Sequence, residues 1–520
     1  MNNMTKILWI DDEIELLKPY ILFLETKNYQ VIPAIDGNEA MEILGKTIVD
    51  IIFLDENMPG MNGIDVLMLI KEKFASIPVI MITKSEEEQI MEQAIGSKIS
   101  DYLIKPVNPN QILLALKKHL HSKQLVSDVS SMNYQQQFRE INMRLNERLN
   151  ASDWIDIYKK LVYWEIELSE SSDQSIFEIL KQQKDEANNL FCRFYEKNYE
   201  EWLNGTAKER PALSHLALNE KLFPVLKADD KPVFLIVIDN FRFDQWKALQ
   251  PLIEEHLRTE SEDIYYSILP TTTQYARNAL FAGLMPSEIK KKYSHLWLDE
   301  DEEGNKNDSE HTFLQENLKR HGLNNIKTSY HKVLNVNYGM RMIDNLPNFL
   351  QNKLNIIVYN FIDMLSHART ESDIVRELAV DEKAYRSVTQ TWLEHSPLIE
   401  VLKFLSDKDC HIFITTDHGS VKVDRPVKIK STKDASNNLR YKVSRLLEYN
   451  AKEVYEVKDC SKIYLPKLSI TSPFIFARSN DFFAYPNNYN YYVSYYMNTF
   501  QHGGLSMEEN LVPFIHLMSK

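Results

Sequence analysis

A chain of 520 residues exceeds what one hydrophobic core ordinarily organises, so two or three domains are expected. With 44% hydrophobic and 26% charged residues it reads as globular, and its net charge of −14 excludes a broad nonspecific nucleic-acid surface, though not a local basic groove. Three cysteines (Cys192, Cys410, Cys460) without CxxC spacing exclude a disulfide scaffold and a cysteine–zinc site, and fit a reducing cytoplasm.

No apolar run reaches the roughly 18 residues of a spanning helix. The opening MNNMTKILWIDDE meets two aspartates before any stretch long enough for a secretory signal. Residues 1–121 then alternate strand and helix signals. KILWI precedes a helix from about Glu13 to Lys27, YQVIPAI a helix near Gly37–Leu44, and DIIFLDENMPGMNG a helix through Lys73. PVIMIT, a further helix, DYLIKP and a last helix at Gln111–Leu120 complete the series. Five such units with continuous apolar strands predict a parallel sheet covered on both faces.

The polar residues at these strand ends are Asp11 and Asp12, Asp55, Thr83, and Lys105 before Pro106. Three carboxylates at one sheet edge repel one another unless a hard cation joins them, and Mg²⁺ takes oxygen ligands of this kind. A lysine and a hydroxyl opposite would hold an incoming phosphoryl group. The pattern DD…D-x-x-M-P-x-M-x-G…T…K-P resembles the response-regulator receiver domain, of flavodoxin-like fold. The resemblance implies that Asp55 accepts a phosphoryl group from a sensor histidine kinase. It implies that Asp12, Asp55 and the Asn57 carbonyl hold Mg²⁺, with Asp11 in the outer sphere. Thr83 and Tyr102 match the family's hydroxyl and aromatic switch positions, and Lys105 its cation.

Residues 122–206 change to helical periodicity with almost no glycine or proline before Gly205. FREINMRLNERLN, WIDIYKKLVYWEIEL and IFEILKQQKDEANNLFCRFYEKNYEEWL predict three amphipathic helices, with Ser152 and Ser172 or Asp173 as N-caps and Gly205 as a stop. Such a connector is a spacer packed as a small bundle, or a lever transmitting the receiver's state; a bundle that also supports dimer coupling is preferred. No helix-turn-helix pattern follows, so direct duplex DNA binding is not expected.

From residue 207 to 520 the chain returns to α/β alternation. VFLIVIDNF ends near Asp239, IIVYNFIDMLSH carries Asp363 and His367, HIFITTDHG carries Asp417 and His418, and QHGG carries His502. The first three are apolar runs whose carboxyl ends deliver an aspartate, where an open α/β sheet places ligand groups. With Thr271 after LP, the segments supply three aspartates, three histidines and a hydroxyl, about the number that two adjacent divalent cations need. Thr271 and Gln274 fit a capping box, which would set the hydroxyl at a helix N-terminus suited to phosphate; Thr272 and Thr273 are the alternatives.

This set resembles the alkaline-phosphatase superfamily, and HGGLSMEENLVP with VIDNFRFDQW is similar to the PglZ domain. The resemblance implies one cation on Asp363, His367 and His502, and a second on Asp239, Asp417, His418 and a nucleophilic Thr271. Mixed Asp/His ligation suits two Zn²⁺ best, with Mn²⁺ second. Stretches 285–350 and 420–500 correspond more weakly and read as insertions capping the site; KIKSTKDASNN and YPNNYNYYVSYY form a solvated loop and an aromatic strand, or offer cations and stacking surfaces to a nucleotide.

A receiver, a helical-bundle connector and an alkaline-phosphatase-like α/β PglZ domain together make an α/β multidomain chain resembling the PorX-type response regulators. That resemblance implies a cytoplasmic regulator of type IX secretion and gliding that dimerises on phosphorylation of Asp55. Its effector is then a zinc-dependent phosphodiesterase acting on nucleotides or short oligonucleotides. The rival expectation is a regulator with structural metals that docks a sigma factor or secretion-system protein.

Overall fold

The short apolar runs of the N-terminal segment become five parallel strands: β1 (Thr5–Ile10), β2 (Tyr29–Ala34), β3 (Ile51–Asp55), β4 (Val79–Thr83) and β5 (Asp101–Ile104). They lie in the order β2-β1-β3-β4-β5. The structure is a computed structural model that describes residues 4–84, 99–120, 122–169, 174–300, 302–431, 436–467 and 472–520. The helix expected between PVIMIT and DYLIKP falls outside the described residues.

Helices α1 (Lys18–Glu25), α2 (Gly37–Lys46), α3 (Gly63–Lys73) and α4 (Pro109–Leu120) flank this sheet. The helix expected to run unbroken from Glu13 begins as a separate 3₁₀ turn at Ile14–Leu17, because Pro19 lacks an N–H and fits only the first turn of α1. Asp36 and Asn62 cap α2 and α3 by accepting two backbone N–H groups each. Ile7, Trp9, Phe53 and Ile80 fill one face of the sheet, and Leu8, Leu54, Leu67 and Met81 the other.

The chain forms two compact units, Met1–Met132 with Glu170–Asp173, and Asn133–Ser169 with Gln174–Lys520. Three helices follow the first sheet: α5 (Ser122–Leu145), α6 (Ala151–Ser169) and α7 (Gln174–Leu203). The cap of α6 is Asn150 and not Ser152: the Asn150 Oδ1 accepts the N–H groups of Ser152 and Asp153. Ser172 and Asp173, expected before α7, lie outside the described residues. Beyond α7, Gly205 takes φ +69°, the left-handed conformation that ends a helix cheaply only at glycine.

From Asn133 onward the helices are not a self-contained bundle. Trp154, Tyr158, Phe191, Tyr195 and Trp202 belong to the same core as Phe243, Tyr265 and Tyr266 of the α/β region. Tyr195 Oη donates to the Ser267 carbonyl at 3.0 Å, and Tyr199 Oη accepts the Leu269 N–H at 3.1 Å.

That region is built on a six-stranded sheet of β6 (Val233–Ile238), β7 (Leu257–Tyr266), β8 (Thr328–Val333), β9 (Leu354–Tyr359), β10 (His411–Thr415) and β11 (Leu511–Ser519). The order is β7-β11-β10-β6-β9-β8, with β10, β6, β9 and β8 parallel and β11 antiparallel to both β10 and β7. Every residue of β6, β9 and β10 is buried, as continuous apolar runs require.

Two sequence expectations are corrected here. Stretch 285–350 is not an insertion, since it supplies edge strand β8 to the main sheet. YNYYVSYY is a helix, Tyr489–Tyr496, and not a strand. Its rings recur at three- and four-residue spacings, the helical period, without the strict alternation of a strand. Stretch 420–500 otherwise folds as small sheets, in which Arg425–Ser431 lies between Leu447–Tyr449 and Asp481–Ala484. Among the described residues no helix is long and apolar enough to cross a membrane.

Candidate metal centres

In the receiver unit, ligand atoms of Asp11, Asp12 and Asp55 lie within 4.8 Å of one another at the carboxyl ends of β1 and β3. Lys105 Nζ stands 2.8 Å from Asp55 Oδ1 and 3.2 Å from Asp11 Oδ2, so one ammonium faces two buried carboxylates. Burial raises the Asp55 carboxyl, and Asp11 and Asp12 push it further up while Lys105 opposes them. Asn57 is exposed and Tyr102 is half-exposed at the edge strand β5. The Thr83 hydroxyl donates to Glu56, a buried carboxylate that sequence reading missed.

In the second unit, sheet topology brings the expected segments together. Strands β10, β6 and β9 are parallel neighbours, so Asp417, Asp239 and Asp363 leave one sheet edge side by side. Strand β11 runs the other way and starts at that edge, which places the preceding loop and His502 there. Its partner β7 ends there, Leu511 opposite Tyr266, and so delivers the threonines that follow.

Two trios result. Ligand atoms of Asp363, His367 and His502 fall within 4.8 Å of one another, and so do those of Asp239, Asp417 and His418. The trios adjoin: the His418 and His502 rings stack with centroids 4.3 Å apart. Asp363 and His367 share one face of helix α8 (Phe361–Glu371) as an i,i+4 pair, 3.5 Å apart, and His367 is the exposed member.

Backbone carbonyls orient two imidazoles. His502 Nδ1 faces the Thr271 carbonyl at 3.1 Å and His418 Nδ1 the Gly419 carbonyl at 3.1 Å, which leaves each Nε2 turned toward carboxylates. His418 Nε2 is 3.7 Å from Asp417 Oδ2 and 3.8 Å from Asp239 Oδ1, too far for hydrogen bonds. Burial lowers His418 to about 4, so its Nε2 carries a lone pair toward oxygens that carry lone pairs too. Asp417 Oδ2 is buried without a hydrogen-bond partner, with Arg277 Nε 3.8 Å away.

Two acceptors and an orphaned oxygen at this spacing fit the donors of one cation, whose tetrahedral ligands stand roughly 3.3 Å apart. In the other trio burial opposes, but His502, His367 and His418 hold the Asp363 carboxyl well below the usual carboxylate range. Burial raises Asp239 well above it, with Asp417, Asp363 and Glu310 adding to the effect and Arg277 opposing it.

The threonines differ from the expectation. Thr271 does not point among the ligands: its hydroxyl donates to the Gly504 carbonyl at 2.9 Å and accepts the Gly503 N–H at 2.9 Å. No Thr271–Gln274 capping box forms, since the Gln274 amide donates to the Leu298 carbonyl and the N-cap position is Thr272. Thr273 is the one that faces the trio, with Oγ1 3.3 Å from Asp239 Oδ1 and 3.3 Å from His418 Nε2.

Several supporting side chains went unread in the sequence. Arg277, fully buried one helical turn after Thr273, stands 3.1 Å from Asp239 Oδ2 and 2.9 Å from Glu310 Oε2. Asn240, at φ +62°, turns the chain after Asp239 and directs its amide to Ser366 Oγ and Asp363 Oδ1. Glu509 accepts the Gly504 N–H and pairs with buried Arg440, fixing the His502 loop. A Cβ at Gly419 would lie 2.0 Å from the Glu508 carbonyl oxygen, so only glycine lets that loop close on His418.

Three family descriptions match the chain: the response regulator receiver domain over residues 7–117, the PorX response regulator linker domain over 124–203, and the BREX system PglZ alkaline phosphatase-like domain over 217–517. Among curated proteins it is similar to the transcriptional regulatory protein ResD of Bacillus subtilis, 38% identical over 115 residues, 22% of this chain and 48% of that one. It is also similar to the regulatory protein VanR of Enterococcus faecium, 32% identical over 130 residues, 25% of this chain and 55% of that one. The chain thus spans about half the length of these relatives. Among solved structures, the chemotaxis protein CheY4 of Vibrio cholerae is 28% identical, with 23% of this chain and 100% of that one covered and a TM-score of 0.22. The chain therefore belongs to the PglZ alkaline phosphatase-like family and, with its receiver and linker, has the make-up of a PorX-type response regulator.

Proposed function

We propose that this response regulator, phosphorylated on Asp55 by a sensor histidine kinase, carries a two-zinc phosphodiesterase as its effector. The substrate class is nucleotides or short oligonucleotides, and the output is control of type IX secretion and gliding. The observation that carries the reading is the pair of adjoining Asp/His trios with the Thr273 hydroxyl beside one of them.

Asp363, His367 and His502 would hold one cation, and Asp239, Asp417 and His418 the other. Bound Zn²⁺, or Mn²⁺, supplies Lewis-acid charge at the phosphoryl oxygens and at the attacking hydroxyl. Thr273 Oγ forms a bond to phosphorus as the bond to the leaving alcohol breaks, and water then cleaves the phosphothreonine, restoring the hydroxyl and releasing the second product. The Thr273 proton has Asp239 Oδ1 as its neighbour. Arg277 is engaged by Asp239 and Glu310, which leaves it unavailable to the extra charge of a monoester and favours a diester.

Hydrolysis of bis-p-nitrophenyl phosphate by the full-length protein tests this. Turnover is expected to vanish on chelation and return with Zn²⁺ or Mn²⁺, and to exceed that of the monoester p-nitrophenyl phosphate. Diester turnover indifferent to chelator would sink the assignment.

In the receiver, Asp55 with Asp11 and Asp12 would hold Mg²⁺ while Lys105 meets the phosphoryl oxygens, and the charge change drives dimerisation. Beryllofluoride is expected to shift the sedimentation of the wild type to that of a dimer and to leave Asp55→Ala unmoved. Identical behaviour of the two would end the dimer proposal.

A further inference from the structure

Helix Tyr489–Tyr496 buries none of its residues, although five of the eight are tyrosines. Tyr489, Val493 and Tyr496 rest against Val421, Val423 and Phe482, which anchors one side. Tyr491 and Tyr492 have no such place: they are 65% and 37% exposed. Tyr491 stacks on Tyr495 with centroids 6.1 Å apart and planes at 16°, and Tyr492 on Tyr496 at 6.3 Å and 11°. Two rows of near-parallel rings thus run along the helix, one turn apart. Tyrosine is neither a strong helix former nor a residue of solvated faces, so the folded core does not account for them.

The rings adjoin the candidate centre through a short set of contacts. The Arg376 guanidinium lies 5.6 Å over the Tyr495 ring and donates to the Thr370 carbonyl at 2.9 Å. Thr370 stands on α8, three residues beyond His367, and its hydroxyl accepts from the side-chain amide of Gln501, the residue before His502. Lys428 Nζ lies 4.5 Å over the Tyr489 ring. Two cations therefore flank the rings, in a chain whose net charge is −14.

We infer that this helix is a stacking platform for the bases of a single-stranded oligonucleotide, placed so that a neighbouring backbone diester reaches the two trios. The inference deepens the phosphodiesterase reading and rests on it for the second half of that sentence. Exposed aromatic faces take any base, and the flanking Lys428 ammonium meets a phosphate, so recognition is sequence-tolerant and salt-dependent. A duplex hides its base faces and is excluded.

Fluorescence anisotropy of a labelled octauridylate with the chelator-treated full-length protein tests the platform. Wild type is expected to bind with an affinity that falls as salt rises. The double variant Tyr491→Ala/Tyr495→Ala is expected to lose at least about tenfold, in line with stacking lost at one or two bases. Unchanged melting temperature, with unchanged zinc content before chelation, would show the double variant folded. Binding by the double variant as tight as wild type overturns the inference, as does equal displacement of the probe by polyaspartate, which has charge but no bases. Wild type that binds through the tyrosines but cleaves no diester would fail the phosphodiesterase reading and leave the platform standing.

Discussion

Thr273→Val is expected to lower the turnover of bis-p-nitrophenyl phosphate on the order of a thousandfold or more, with zinc content unchanged. Removal of a nucleophile eliminates the covalent route and leaves only what binding and charge stabilisation provide. The expectation follows from geometry, since Thr273 Oγ1 is 3.3 Å from both Asp239 and His418, whereas the Thr271 hydroxyl is fully buried on the Gly503 and Gly504 backbone. Thr271→Val behaves differently. It strands a buried N–H and a buried carbonyl, at a cost of about 1–3 kcal/mol in stability, and the folded fraction keeps turning over. Denaturant unfolding separates the two cases. A Thr271→Val protein that is fully stable and inactive, beside an active Thr273→Val, would reverse the assignment.

That difference in geometry between the two threonines marks where sequence reasoning ends. The meeting of Asp239, Asp363 and Asp417 was legible because each closes an apolar run, and the carboxyl ends of parallel strands share one edge. The receiver was legible for the same reason, with its acidic and basic residues at strand ends. The threonine was not. T-x-x-Q is a local pattern, while the group that takes the Thr271 hydroxyl is the Gly503–Gly504 backbone, more than two hundred residues later. Arg277 illustrates the same limit, since the Glu310 that holds it lies outside any local window. Strand β8 was read as an insertion because TSYHKV is an edge strand of mostly half-buried residues and lacks the apolar run of a central one. The Glu56–Thr83 bond left no pattern to be assigned in advance, whereas the tyrosine helix carried a helical spacing that its aromatic content, typical of strands, obscured.

The connector yields the other large expected effect. Lys184 of α7 stands 2.7 Å from Glu165 of α6 and 3.1 Å from Glu508 of the loop that carries His502. Arg386 pairs with Glu165 and Asp244 in the same buried network. Asn188 holds the loop twice, donating to Glu508 Oε2 at 2.7 Å and accepting the Met507 N–H at 2.8 Å. Any displacement of α7 therefore displaces the segment that packs on Gly419 and sets His418 and His502. Lys184→Met leaves two buried carboxylates short of a cation and is expected to cost about 3–5 kcal/mol, read as a lowered denaturant midpoint. Glu508→Gln added to Lys184→Met is expected to recover part of that loss, because one uncompensated charge disappears.

The pH dependence has a defined sign. Against the cost of burial, Lys184 and Arg386 hold Glu165 below the carboxylate range, so its contribution is present above the ordinary carboxylate pKa of about 4.3 and fades as pH falls. Burial likewise opposes Glu165 and Glu508 at Lys184, yet its ammonium is raised, so that contribution is full below about 10.4 and fades only as pH rises beyond. Wild type is thus expected to show a stability plateau between these limits, and Lys184→Met a lower plateau with a smaller loss on the acid side, because carboxylates short of a cation are held down less and their protonation costs the fold less. A variant with wild-type midpoint and wild-type zinc content would mean that α7 rests on the His502 segment without holding it, and the connector would then lose its claim to transmit anything to His502.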